Sequence, residues 1–220
     1  MSTRDQDISG YRYGDASPSH THDYLLSPVL NHLQAVDFLG NEQRVFDLGC
    51  GNGSTAARLE YEGYTVTGVD PSVEGIQQAR EQYPKLSLHS GSAYDDLSDR
   101  FGTFNAVISL EVVEHVYDPR TYAQCIYDLL ADRGTAIIST PYHGYLKNLL
   151  IALSGAYDQH HDPLWDHGHI KFWSMKTLGA LLNEIGFVDV KFERVGRIAP
   201  LAKSMIAIAR KSAKHEKRLE

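Results

Sequence analysis

The sequence predicts an α/β fold, a doubly wound sheet that is parallel except at its end. Three observations predict it. From Arg44 onward, short apolar runs alternate with stretches of helical periodicity, the pattern of right-handed crossover units. The first run, RVFDL, ends in a turn carrying Gly49, Gly51 and Gly53. The second, YTVTGVD, ends in an acid, Asp70, at the strand tip.

Each element has its own warrant. Residues 1–19 mix Ser, Gly, Asp and Pro with Tyr11 and Tyr13, a composition that reads as a mobile arm able to close over a site. Leu25, Leu26, Val29, Leu33, Val36 and Leu39 recur at helical spacing and predict an amphipathic helix from His20 to Leu39. Then follow strand RVFDL, helix 54–62, strand YTVTGVD, helix 72–82, strand KLSLH, strand FNAVISL, helix Pro119–Leu130 and strand GTAIIST. The rhythm breaks at 141–170, a stretch rich in His, Asp, Tyr and Gly around the apolar piece LLIAL, which reads as an insertion with a short core helix. Helix 174–185 restores the pattern, and VDVKFERV and KSMIAIAR read as a closing antiparallel pair before a polar tail at 213–220.

Bulk properties narrow the function. A chain of 220 residues suits one domain, here 20–212, with a core that needs no disulfide or metal staple. Its two cysteines form no C-x-x-C pair, and no apolar run approaches the roughly 20 residues of a membrane span. The expectation is a soluble protein of the cytoplasm. A net charge of -7 argues against nucleic acid and for a small-molecule partner.

The glycines let the chain turn tightly and let a ligand approach the backbone, and Asp70, 17 residues beyond Gly53, can accept hydrogen bonds from both hydroxyls of a ribose. Gly51, Gly53 and Ala56 also satisfy the dinucleotide fingerprint. Charge decides between the two. Asp47, just before the first glycine, would repel a diphosphate and favours a cationic ligand.

With VFDLGCGNGS, Asp70 in TGVDPS, the run SLEVVEHV and the terminal hairpin in hand, the stretch from Arg44 to about Arg210 resembles the seven-stranded S-adenosylmethionine-dependent methyltransferases. The resemblance implies a Rossmann-like sheet in the order 3-2-1-4-5-7-6 with the last strand antiparallel. It also implies S-adenosylmethionine held by Asp47, Gly49, Gly51, Gly53, Asp70 and Leu110. The adenine would be covered by Ser92 and Ala93 in GSAYD, with Asp95 or the backbone around Ala93 making the contact.

Glu111, Glu114 and His115 stand at i, i+3 and i+4, so a helical segment would put all three on one face beside the cofactor. Two carboxylates and an imidazole suit a divalent ion such as Mg²⁺, able to lower the pKa of an acceptor hydroxyl. More narrowly, SLEVVEHVYDP and ISTPYHGYLKNLL are similar to the O-methyltransferases of ubiquinone biosynthesis. That subfamily associates the matching acids and histidine with a metal and a catechol-type hydroxyl, but its amino-terminal arginine has no match in HDYLLSPVLNHLQ.

Five of the eleven histidines fall between His143 and His169. Imidazole accepts protons near neutral pH, which makes His143, His167 and His169 candidate bases beside His115, with Lys171, Phe172 and Trp173 as cation and aromatic walls. LLIAL offers a peripheral contact with a membrane surface. The expected activity is O-methylation of a phenol, quinone precursor or sugar. A macromolecular acceptor such as RNA, or cofactor binding without turnover, are the alternatives.

Overall fold

A computed structural model describes residues 13–18, 20–38, 42–165 and 168–213. Its seven strands are β1 (Arg44–Leu48), β2 (Thr65–Asp70), β3 (Ser87–Ser90), β4 (Phe104–Leu110), β5 (Leu130–Pro141), β6 (Phe187–Val195) and β7 (Ser204–Lys211). They form one sheet in the order β3-β2-β1-β4-β5-β7-β6. All pairs are parallel except those made by β7, which runs antiparallel to β5 and β6. Fold, strand order and the antiparallel last strand are as the sequence predicts.

The helices are α1 (His22–Gln34), α2 (Ser54–Tyr61), α3 (Val73–Gln82), α4 (Leu97–Phe101), α5 (Pro119–Leu129), α6 (Tyr145–Leu153), α7 (Tyr157–His160) and α8 (Met175–Ile185). Alternation along the strands sends Phe46, Leu48 and Val107 into a core with Tyr122, Ile126, Leu178 and Leu182 of α5 and α8. Val45, Ala106 and Ile108 face the other way, into a core with Leu25, Val29, Leu59 and Ile76 of α1, α2 and α3. Both faces are covered, which is why these strands read as continuous apolar runs. The chain leaves β1 toward β2 and β3 and then returns to place β4 on β1's other side, so the loops after β1 and β4 diverge and open a crevice.

Four local expectations change. Helix α1 stops at Gln34, where the N–H groups of Ala35 and Val36 turn back to the carbonyls of His32 and Leu33; Leu39 lies outside the described residues. β5 starts at Leu130 because a register shift opposite Phe104 and Ala106 absorbs the residues before Thr135, with Arg133 at φ 63°. LLIAL is not a core helix: in α6 only Ile151 is buried, while Leu146, Leu149, Leu150 and Leu153 face solvent.

The fourth change reshapes the site. SLEVVEHV is not helical after β4; Val113–His115 form a turn closed by His115 N–H on the Val112 carbonyl, and α5 waits until Pro119. Asp118 caps that helix by accepting from the N–H groups of Arg120 and Thr121, and Pro119 suits the first helical position, where its missing N–H costs nothing, so the start is fixed late.

Helix α8 carries a reciprocal capping box, Ser174 with Thr177. Ser174→Ala should therefore lower the free energy of unfolding by about 1 kcal/mol, read as a lower urea midpoint at unchanged slope.

Candidate functional site

β1 delivers Asp47 to the crevice with its carboxylate 2 % exposed, and Oδ2 has no hydrogen-bond partner. Burial and the charge of Asp70 push its pKa up to about 7. Asp70, at the tip of β2, is provided for differently. Its Oδ2 accepts the Gly51 N–H at 2.8 Å and its Oδ1 accepts the Ser72 N–H at 2.8 Å, so one carboxylate ties the glycine loop to the start of α3. Gly49 stands at φ 90° with the Val112 side chain packed where a Cβ would be, which leaves no room for another residue.

Above the loop lies a cavity of about 770 Å³, within the range of small-molecule sites. Asp70, Gly49, Gly51, Ser92, Ala93 and Leu110, six of the residues expected to hold a cofactor, line it. Asp47 lies beneath this lining and Gly53 at the start of α2 behind it, with the Leu88 and Ala79 side chains against Gly53. Asp95 does not line the cavity; its Oδ2 accepts from the Ser92 N–H at 2.7 Å and so occupies that donor, while Ser92 and Ala93 themselves line the wall. Residues of the amino-terminal arm, Tyr13 to Pro18, form one wall; Tyr11 lies outside the described residues.

The far end is built on the turn after β4. Glu111 leaves the strand at φ 57° and points toward β5 and β7, where Ser139 and Ser204 donate to its two oxygens at 2.8 and 3.3 Å. Glu114 goes the other way. It is 1 % exposed, neither oxygen has a hydrogen-bond partner among the described residues, and burial with the nearby Glu111 charge raises its pKa well above the usual carboxylate range.

Two backbone bonds, from the Ile170 and Lys171 N–H groups to the Glu114 carbonyl, dock the end of the insertion on this turn. They bring His169 Nε2 to 3.9 Å from Glu114 Oε1. The predicted trio is thereby rearranged: Glu114, His115 and His169 offer ligand atoms within 4.8 Å of one another, and Glu111 is not part of the group. The Gly168 carbonyl can only accept, so its 3.1 Å contact places the His115 proton on Nδ1 and leaves Nε2 as the acceptor. Burial and the neighbouring histidines, His115 first, bring His169 down to about 4, so it is neutral at pH 7.

Other candidates lie elsewhere. His143 does not line the cavity; its ring packs on His161 and Phe172, and burial with Lys147 and His161 lowers it to about 4. Trp173 is a core residue donating to the Val113 carbonyl, and Lys171 sits over the Tyr117 ring. His167 and Asp166 fall outside the described residues. Sequence reasoning missed Tyr24, Trp165, Lys203 and Ser204, which complete the far wall. Only Trp165, the aromatic inside the histidine-rich stretch, carried a local signal.

A strand-tip acid holding a glycine loop, at the switch point of a sheet in this order, has counterparts among known proteins. Residues 20–191 match the methyltransferase domain family. The chain belongs to that family. It is 36% identical over 117 residues to a ubiquinone biosynthesis O-methyltransferase of Caulobacter sp. (strain K31), covering 51% of this chain and 46% of that one. To the human mitochondrial protein of the same name it is 31% identical over 176 residues, 74% of this chain and 46% of the relative. The chain thus spans about half the length of these curated relatives. A methyltransferase of Haloferax volcanii, solved in complex with the Trm112 activator, superposes with TM-score 0.65 at 17% identity, covering 89% and 92% of the two chains. An S-adenosylmethionine-dependent methyltransferase of Archaeoglobus fulgidus gives 0.62 at 19% identity over 85% and 93%. Among the described residues of this methyltransferase domain, no helix is long and apolar enough to cross a membrane.

The buried Asp47 carries a stability signature. Its folded pKa of about 7 lies above the ordinary aspartate value, so the native protein holds the extra proton between about pH 4 and 7 and loses stability as pH rises through that window. Asp47→Asn should flatten this slope and stabilise the ligand-free protein at pH 8 by up to about 4 kcal/mol, measured by urea unfolding across pH.

Proposed function

We propose that the protein is a cytoplasmic S-adenosylmethionine-dependent O-methyltransferase acting on a small hydroxylated molecule, a phenol or quinone precursor before a sugar. The observation that carries this reading is one cavity with a cofactor end, at Asp70 and the glycine loop, and a proton-accepting end, at His115 and His169. The names of the curated relatives support the same chemistry. The residues fit the cofactor: the oxygen of Asp47 that has no partner among the described residues suits a cationic ligand, and Gly49 and Gly51 bring the loop backbone to the cavity wall.

When bound, S-adenosylmethionine supplies a methyl group activated by a sulfonium. Asp70 stands on the cavity wall in position to accept from a ribose, and Ser92 and Ala93 edge the adenine end. At the other end the protein's task is to orient an acceptor hydroxyl and take its proton. His115 through Nε2 and His169 are the groups on the cavity wall able to do so, with Trp165 packed against both rings. His143 has a packing role.

A divalent cation fits Glu114, His115 and His169, because a fully buried carboxylate without hydrogen bonds is costly unless protonated or bound to a positive ion. Such an ion would occupy the histidine nitrogens that otherwise take the proton, and would act instead by lowering the pKa of an acceptor hydroxyl. The solvent-facing leucines of α6, with Ile198 exposed beside the turn that α6 packs against, support collection of an apolar acceptor from a membrane surface.

Asp70→Ala should weaken S-adenosylmethionine binding about a hundredfold by calorimetry, through loss of charge-assisted bonds on both sides of the carboxylate; unchanged affinity would remove the ribose assignment. With a catechol as acceptor, His169→Ala should lower kcat on the order of a hundredfold at unaltered cofactor affinity. Chelator should abolish turnover and Mg²⁺ restore it in the wild type. Binding without turnover on any hydroxylated acceptor would contradict the enzymatic reading.

A further inference from the structure

The family match begins at residue 20, yet the wall over the glycine loop is made by residues 13–18. Among the described residues, four side-chain hydrogen bonds reach that segment's backbone carbonyls. Gln78 Nε2 donates to Tyr13 at 2.8 Å, Asn52 Nδ2 donates to Asp15 at 2.8 Å and to Ser17 at 3.0 Å, and the Tyr83 hydroxyl donates to Ala16 at 3.1 Å. The donors come from the glycine loop, from α3 and from the residue after α3, so the segment straddles the two elements that Asp70 joins.

The Tyr13 ring has a built seat. A Cβ on Gly51 would collide with its hydroxyl, and one on Gly75 would come to 3.0 Å from its ring. Gly75 occupies the first turn of α3, where glycine costs about 1 kcal/mol against alanine, and a Cβ there would meet both the Tyr13 ring at 3.0 Å and the Gly51 backbone at 3.2 Å.

We propose that residues 13–18 are a strap that clasps the cofactor and that Tyr13 is a cofactor-binding residue supplied from outside the family domain. The inference rests on the methyltransferase reading. The strap closes the side of the cavity beside Asp70, so the cofactor leaves on that side only when the carbonyl bonds part. Tyr13 adds an aromatic wall over the loop. The clasp governs retention, and its loss speeds release of the spent cofactor.

The test uses the full chain and S-adenosylhomocysteine, with dissociation followed by stopped-flow displacement and affinity by calorimetry. Tyr13→Ala, and separately the anchor pair Gln78→Ala with Tyr83→Phe, should each raise the dissociation rate roughly tenfold, from two contacts worth about two- to tenfold apiece. Tyr13→Phe should fall between wild type and Tyr13→Ala, and thermal unfolding of the ligand-free variants should stay near wild type. Dissociation within twofold of wild type in both variants overturns the strap alone. Tighter binding by Tyr13→Ala also overturns it, because the ring would then be an obstruction. Failure of the wild type to bind S-adenosylhomocysteine overturns both the strap and the methyltransferase reading.

Discussion

Two carboxylates are buried side by side where the sheet reverses its winding, and the rest of the site is arranged around them. Asp70 is satisfied by the N–H groups of Gly51 and Ser72. Asp47 is not: one oxygen lacks a partner among the described residues, and burial with the charge of Asp70 raises the cost of ionising it. A chain that buries such a pair holds a proton there or takes a cation from outside. The glycines follow from this constraint, since a ligand must reach a carboxylate that lies below the loop's surface.

The opposite end shows how backbone conformation sorts similar side chains into different tasks. With Glu111 in the left-handed region, its carboxylate swings onto Ser139 and Ser204 and into a network reaching the Tyr24 hydroxyl, 3.3 Å from Ser204 Oγ. Glu114, three residues on, is left to His115 and His169. In a helix the two acids would have shared a face and one fate. The left-handed residue and the late cap at Asp118 prevent that.

The sheet was legible because its strands are buried on both faces and read as short apolar runs between glycine and proline punctuation. The glycine-loop end of the cavity was legible because strand-tip acids and glycine turns are local in sequence: Asp70, Gly49, Gly51, Ser92, Ala93 and Leu110 all line it. What was hidden depends on contacts distant in sequence. His169 joins Glu114 only through the backbone docking of Ile170 and Lys171, and nothing in the histidine spacing separates it from His143. Tyr24 and Lys203 meet at 4.9 Å across the fold with no local sign in either segment. The leucines of α6 show the reverse error, an apolar run that reads as core and lies on the surface.

The central claim is that Asp47 waits, protonated, for a cationic ligand. Calorimetric titration with S-adenosylmethionine near pH 6.5, repeated in buffers of different ionisation enthalpy, tests it most directly. The account predicts heats that depend on the buffer, corresponding to release of most of one proton, and loss of that dependence in Asp47→Asn. Buffer-independent heats in the wild type would contradict it.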